Sequence, residues 1–389
     1  MHIAHFIWNR RVIFLSLKNK RIALYIPNLI IYGGGAEVYG LLLAEILDEN
    51  NSVVILTHDP HDESFDINSV YDMYGIKHFE TIFLKYKKIK HLNGVQIWKD
   101  MDRLSSEIDI FINCTYGIMR GMRNTLSIHL IHFPFPRQTG LIGKIYNKVY
   151  VNSYQAYISN SKYTQGYLKQ YWDVDSKILY PPIAMEPADD KVIQNKKRII
   201  LAVGRIVNDK KILEMIDAFK RIYNDGAWDY KFVLIGNKDD KEMDYLSRVI
   251  DSIKDYPIEL YTNIEKKELI NWYRKATIFW HAKGLNEDED PYNAEHFGMT
   301  TVEAMANGCI PIVINKAGQK EIVKHGVDGY RWDTVTQLVE YTLSVMTDKT
   351  DLLNIQKRAI DDSREYLLEQ FRENANRVLD EIVYIYGIK

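Results

Sequence analysis

Short apolar runs of strand length alternate with helix-period segments along this chain, and the alternation begins afresh about halfway. Ile22–Ile26, Val53–Leu56, Thr81–Leu84, Ile108–Ile112, Ile128–Phe133, Ala156–Ser159 and Lys177–Tyr180 form the first set of runs. Arg198–Val203, Lys231–Ile235, Ile258–Tyr261, Thr277–His281 and Ile310–Ile314 form the second. Between them lie helical patterns. One runs from Ala36 to about Leu47, where Val38, Leu41, Leu42 and Ile46 make an apolar stripe; others cover Asp209–Tyr223 and Glu265–Lys275. Gln337–Met346, Asp351–Leu367 and Arg372–Tyr386 read as closing helices. Strands alternating with helices, twice over, predict an α/β chain of two doubly wound domains with parallel sheets. Pro181-Pro182 prevents regular structure from continuing, and the polar stretch Glu186–Lys197 reads as a linker. The expected domains are therefore 1–184 and 185–366, with a final helix at 367–389 that packs back on the first. Ligands of such sheets bind beyond the carboxyl ends of the strands, so two domains facing a central cleft would bring their strand-end turns to one ligand.

Composition narrows the function. The 389 residues carry 50 basic and 52 acidic side chains, a formal charge of −2, which argues against a dedicated nucleic-acid binder. Cys114 and Cys309 stand alone in no metal-like spacing and fit buried thiols in a reducing, cytoplasmic compartment. No run approaches the roughly 18 apolar residues of a membrane span. Met1–Leu17 is apolar but interrupted by Arg10 and Arg11, and reads as an extra strand, an amphipathic helix or a disordered leader. Lys85–Arg103 is basic, with Tyr86 and Trp98: either a solvated loop and helix face or a surface for an anionic acceptor or the inner membrane face.

Four stretches carry chemistry. Glu295-His-Phe-Gly-Met-Thr-Thr-Val-Glu303 places a helix start between two carboxylates, with Gly298, Met299 and Thr300 where backbone N–H groups lack intrahelical partners. A phosphate there, flanked by carboxylates for hydroxyl groups, describes a sugar-nucleotide site. Gly204-Arg205 ends a strand, and Lys210 is expected at the start of the following helix; two fixed cations can stabilise a departing diphosphate. A solvated Arg/Lys pair is the plainer reading. Gly33-Gly34-Gly35 opens a helix after a strand, either as a phosphate cradle or as a tight turn. It is not the dinucleotide fingerprint, because Val38 holds the third glycine position. His132 ends a strand before Phe133-Pro134 and is either structural or directed at the ligand. Asp288-Glu-Asp290 lacks calcium-loop spacing and reads as a solvated loop, so no metal is expected.

Together these segments resemble the retaining glycosyltransferases of family 4, which have the GT-B architecture of two Rossmann-like domains. The likeness runs from Arg21 to Trp332. It is carried by Gly33-Gly-Gly-Ala-Glu37, His132-Phe-Pro134, Asn160-Ser161, Tyr180-Pro-Pro182, Val203-Gly-Arg205 with Lys210, Glu295-His-Phe-Gly298, Glu303-Ala-Met-Ala-Asn-Gly308, Gln319–Val323 with Glu321, and Gly326–Gly329. The resemblance implies that Gly204, Arg205 and Lys210 hold the donor diphosphate. It puts Glu295 on hydroxyls of the transferred sugar and Glu303 on the ribose. Backbone groups of Phe297, Gly298, Met299, Thr300 and Thr301 would meet sugar and phosphates. Gly34 and Gly35 would approach the donor phosphate, His132 the transferred sugar, and Ile264 the nucleobase. Lys211 stands where the family often has glycine after the phosphate lysine, and Ala317 replaces the first of two frequent glycines before Gln319.

The implied reaction moves a hexosyl group from a nucleoside diphosphate sugar to a hydroxyl with retained configuration and without cofactor. GDP-mannose is the first expectation for the donor and UDP-sugars the alternative. A glycan or polyprenyl-linked acceptor is expected, with a peripheral membrane surface as a further partner. Front-face attack is implied rather than the carboxylate nucleophile of retaining glycosidases. A nucleotide-sugar epimerase, a non-catalytic nucleotide-binding module and a phosphorylase with bound pyridoxal phosphate are the competing readings.

Overall fold

The structure, a computed structural model, describes residues 17–27, 29, 34–60, 65–84, 93–115, 119–136, 139–226, 229–347 and 351–386. Most of the leader, Gly33, and Lys85, Tyr86, Lys87, Lys88 and Lys90 lie outside them. Among the described residues thirteen strands follow in order: β1 (Arg21–Tyr25), β2 (Ser52–His58), β3 (Glu80–Leu84), β4 (Ile110–Asn113), β5 (Leu126–Ile131), β6 (Ala156–Ser159), β7 (Lys177–Ile178), β8 (Lys197–Val203), β9 (Lys231–Gly236), β10 (Ile258–Thr262), β11 (Ala276–His281), β12 (Ile310–Ile314) and β13 (Tyr330–Trp332). They form two sheets, ordered β3-β2-β1-β4-β5-β6-β7 and β10-β9-β8-β11-β12-β13. In the first, β1 pairs in parallel with β2 and β4; in the second, β8 pairs in parallel with β9 and β11. The expected pair of doubly wound parallel sheets is what the chain forms.

The central strands owe their place to apolarity on both faces. All residues of β11 (Ala-Thr-Ile-Phe-Trp-His) and β12 (Ile-Pro-Ile-Val-Ile) are buried, as parallel strands covered by helices on each side must be. On one face, Ile200, Phe232, Ile278 and Trp280 pack with Phe219 and Ile216 of the helix Ile212–Asn224. On the other, Leu201, Val233 and Phe279 pack with Tyr273. The strand order reverses between β8 and β11. Val203-Gly204 and His281 therefore emerge side by side at the crevice where open α/β sheets bind ligands.

Packing divides the chain into two compact units. One comprises Met1–Leu130, Gln138–Tyr157 and Arg372–Lys389, the other Ile131–Arg137 and Ile158–Phe371. These packing units are not cut at the 184/185 linker. Residues before the linker join the second unit because they contact it: the Phe133 ring lies 4.1 Å from that of His296, and the Ile183 backbone forms a β-bridge with Leu367. The linker itself holds the short helix Asp190–Gln194, capped by Asp189. In the first unit, Asp380 accepts the Leu17 N–H at 2.8 Å and Arg372 pairs with Glu49 at 2.9 Å, tying the closing segment to the first fifty residues of the chain.

Several local expectations shift. The helix expected from Asp209 begins at Ile212, because Asn208–Lys210 is a 3-10 turn and Lys211 has φ +56°. Lys210 therefore ends a turn and does not begin the helix. The closing helices Asp351–Leu367 and Arg372–Tyr386 become Leu352–Ser363 and Leu368–Tyr386 around the 3-10 turn Arg364–Tyr366. Strand β13 and the helices Ile67–Tyr74, Gly140–Val149 and Lys162–Trp172 are additions that the apolar pattern does not announce.

Candidate active site

Within the second unit, four charged groups meet at the ends of β8 and β11. Lys210 Nζ donates to Glu295 Oε2 at 2.6 Å, and His281 Nε2 lies 3.1 Å from the same oxygen. Lys283, two residues beyond β11, pairs with Asp209 at 3.0 Å. Lys210 and Glu295 keep only 20% and 23% of their side-chain surface, so removing either partner strands a poorly hydrated charge. Burial pushes the Glu295 carboxyl up, but Lys210 foremost, then His281 and Lys283, hold it well below the usual range. Burial pulls the Lys283 amine down, yet the carboxylates of Glu295 and Asp209 raise it overall. Burial lowers His281, against the pull of Glu295, so the ring is neutral and donates its Nε2–H to the carboxylate.

Arg205 lies at the edge of this cluster, half exposed and 3.5 Å from Asp239. Gly204 lets the Lys210 side chain cross its face: a Cβ there would touch Lys210 Cε at 3.5 Å. Gly236 is more constrained, since its Cβ would lie 1.7 Å from the Gly204 carbonyl oxygen. A small cavity beneath Gly204 is lined by Arg205, Lys210, Met215, Trp280 and His281. The helix Ile212–Asn224 that follows is already capped, because Tyr245 Oη accepts the N–H groups of Ile212 and Leu213 at 3.0 and 3.3 Å. Its start is therefore poorly placed to hold an anion.

The helix Met299–Ala306 differs. No side chain caps it, and its N-cap, Gly298, has φ +124°. A Cβ on Gly298 would lie 2.3 Å from Gln319 Nε2, so both conformation and space require glycine. The N–H groups of Thr301 and Val302 turn back to the Gly298 carbonyl at 3.0 and 3.3 Å, and Thr301 Oγ1 donates to Gln319 Oε1 at 3.0 Å. Met299 and Thr300 hold the first two helical N–H groups, ahead of those internal bonds. Phe297 is 4% exposed and packs into the core with Val302 and Met305.

Glu303 lies in the same helix. Its Oε2 accepts the Tyr273 hydroxyl at 2.9 Å, and burial pushes its carboxyl up to about 7, with Tyr273 and Lys266 opposing. Ile264 is half-buried against the apolar cluster that contains Tyr273 and Phe279. His132 follows β5 and is buried, and its carbonyl accepts Thr164 Oγ1 at 3.0 Å. Its neighbour Phe133 stacks on His296 with the rings 7° from parallel. Burial pushes His296 down to about 3, with Lys283 and His132 adding to the shift, so this ring is neutral too. Gly34 and Gly35 belong to the first unit, where Gly34 is the extended N-cap (φ −97°) of the helix Gly35–Asp48, with no side-chain cap.

The fold thus brings Glu295, Lys210, Gly204 and Arg205 together, adds His281, Lys283 and Asp209 to them and gives Glu303 its partner Tyr273; sequence reasoning singled out none of these four additions. One signal was available for His281: a polar residue closing an apolar strand at its carboxyl end, as His132 nearly does. Lys211 and Ala317, which replace frequent glycines, both keep left-handed backbone at φ +56° and +46°. Both turns take the backbone region that favours glycine although neither residue is glycine. Lys211 uses its own to pair with Glu287 at 2.7 Å. Asp288 pairs with Lys316 and Asp290 caps the turn Pro291–Asn293, so this acidic stretch organises its own loop. Among the described residues no cluster of three or more His, Cys, Asp or Glu side chains could hold a metal ion.

Two doubly wound sheets with a charged cluster at the strand-order reversal of the second are the GT-B architecture, and solved structures share it. The chain matches Anabaena HepE in complex with UDP and glucose with a TM-score of 0.72 at 14% identity, over 93% of this chain and 99% of that one. Residues 186–365, which contain the cluster, match the family model described as glycosyl transferases group 1. A GDP-Man:Man(3)GlcNAc(2)-PP-Dol alpha-1,2-mannosyltransferase of Dictyostelium discoideum is 24% identical over 251 residues, 58% of this chain and 48% of its own length. Its Homo sapiens namesake is 30% identical over 197 residues, 46% of this chain and 36% of its own. The chain spans half or less of the length of these two relatives.

Proposed function

We propose that this chain is a retaining hexosyltransferase that binds a nucleoside diphosphate sugar through its segment 185–366, with GDP-mannose as first donor and UDP-sugars as the alternative. The acceptor is a hydroxyl of a lipid-linked glycan, reached at a membrane surface. The observation that carries this reading is the carboxylate of Glu295, held ionised by Lys210, His281 and Lys283 beside an uncapped helix start. The names of the mannosyltransferase relatives support the choice of donor and of a lipid-linked acceptor.

In this mechanism the bond from the anomeric carbon to the phosphate oxygen breaks while the acceptor oxygen bonds to the same face. The acceptor proton passes to the departing phosphate. Arg205, Lys210 and the N–H groups of Met299 and Thr300 stabilise the negative charge that develops there. Arg205 exchanges Asp239 for the diphosphate. Both described contacts to Glu295 fall on Oε2, so Oε1 serves the sugar hydroxyls. A carboxylate held by three cationic or hydrogen-bonding neighbours is a poor nucleophile, which fits positioning rather than attack. Glu303 binds the ribose hydroxyls, the region of Ile264 the base, and His132 lies toward the transferred sugar.

A thermal-shift screen of GDP-, UDP- and ADP-sugars tests the donor: at about a hundredfold excess over Kd the matching one adds about 2.7 kcal/mol of stability. If none shifts the transition, the reading fails. Glu295→Gln should lower transfer about a hundredfold or more without trapping a glycosyl-enzyme. A covalent adduct on Glu295 in the mass spectrum would replace front-face attack with double displacement.

A further inference from the structure

The helix Gly140–Val149 (Gly-Leu-Ile-Gly-Lys-Ile-Tyr-Asn-Lys-Val), in the first unit, presents apolar residues to solvent. Leu141 is 76% exposed and Ile145 57%, among the most exposed large apolar side chains of the described residues. They are four residues apart, hence on one face, and Lys144 and Lys148, both exposed, form a second such pair. At about 100° per residue the four side chains fall within an arc of roughly 100°. Gly143, on the opposite side, is buried, and Tyr146, Asn147 and Val149 on the flanks are half-buried. The helix contains no acidic residue. Its exposed face therefore interleaves two branched apolar side chains with two ammonium groups.

We propose that this face docks the chain on an anionic phospholipid surface. Leu141 and Ile145 enter the boundary between headgroups and acyl chains. The Lys144 and Lys148 stems lie along the same boundary, with their ammonium groups in the phosphate layer. The composition excludes the main rival, a second copy of the chain: self-docking would bring like-charged lysines together, and two apolar side chains fall far below the roughly 1,200 Å² of a stable interface. This inference takes its purpose from the lipid-linked acceptor proposed above, but its test involves no glycosyl transfer.

The full chain is sedimented with vesicles of phosphatidylcholine alone and of phosphatidylcholine with phosphatidylglycerol. Binding is expected only to the second and should weaken as salt is added. Lys144→Glu/Lys148→Glu should reduce the partition coefficient about tenfold or more, and Leu141→Ser/Ile145→Ser should reduce it as well. Both double variants should keep the wild-type thermal transition and its shift by the nucleotide sugar, which separates loss of docking from loss of fold or donor site. Three results would overturn the proposal: no binding by the wild type, unchanged binding by both variants, or a dimer in sedimentation that the variants abolish.

Discussion

Glu295 and Glu303 are eight positions apart in sequence and sit in opposite electrostatic environments. Cations surround the first, so it stays ionised to low pH; the second has a tyrosine hydroxyl for its nearest partner, and burial keeps it protonated up to about 7. For folding, a carboxyl raised from 4.5 to about 7 contributes stability that is complete in acid and is lost as pH rises through 7. With Glu303 in the proposed ribose role, donor binding would have the opposite sign, because ribose hydroxyls would donate to the ionised form. Affinity for a nucleotide sugar, whose diphosphate does not titrate in this range, should therefore rise about tenfold between about pH 6 and about pH 8. Calorimetric titration at the two pH values measures it, and Glu303→Gln should remove the dependence. A flat wild-type profile would take Glu303 out of the ribose site. That two carboxylates bracket a helix start was legible from residue types alone. Their unequal protonation was not, because Lys210, His281 and Tyr273 are brought to them by other strands and helices.

At the scale of elements, helix starts in the second unit differ in what meets their unpaired N–H groups. Tyr245 caps Ile212–Asn224, the N-cap side chain Asp189 caps Asp190–Gln194, and Met299–Ala306 has no side-chain cap. The helix Lys162–Trp172 is held by a distant carboxylate as well as by its N-cap Ser161. Glu321 accepts the N–H of Lys162 at 2.9 Å and of Tyr163 at 2.7 Å, and the Tyr180 hydroxyl at 3.1 Å. Glu321→Ala should cost about 2 kcal/mol, the range for charge-assisted bonds to a helix start, read as a lower midpoint in urea. Glu321→Gln, which keeps an acceptor, should recover part of it. An unchanged midpoint in both variants would show the carboxylate to be idle. The strands were legible because an apolar run buried on both faces declares itself. This helix was not: its tyrosines at 163, 167 and 171 pack on Phe133 and one another and leave no simple apolar stripe.

At the scale of the molecule, the chain's last segment belongs with its first. Val378, Leu379 and Ile382 are all at most 2% exposed, and the segment from Arg372 packs in the first unit. Burying three such side chains contributes roughly 5–9 kcal/mol, comparable to the whole stability of an ordinary domain. Truncation after Phe371 should therefore release the amides of β1–β4 to hydrogen exchange while those of β8, β9 and β11 stay protected. Equal protection in the two sheets would show that the first unit stands without its closing helix. The return of the closing helix was expected, but its partners were not, because periodicity reports which face of an element is buried and not what covers it.

The sequence by itself determined the two parallel sheets and the helix start that lies between the carboxylates of Glu295 and Glu303. Those follow from local terms: apolar runs, backbone conformation and residue type along one stretch of chain. Only the tertiary structure decided that Lys210 grips Glu295, that His281 and Lys283 complete the cluster, and that Leu141 and Ile145 remain in solvent. Charge and burial act between residues far apart in sequence, so their outcome exists only once the sheets have set the distances.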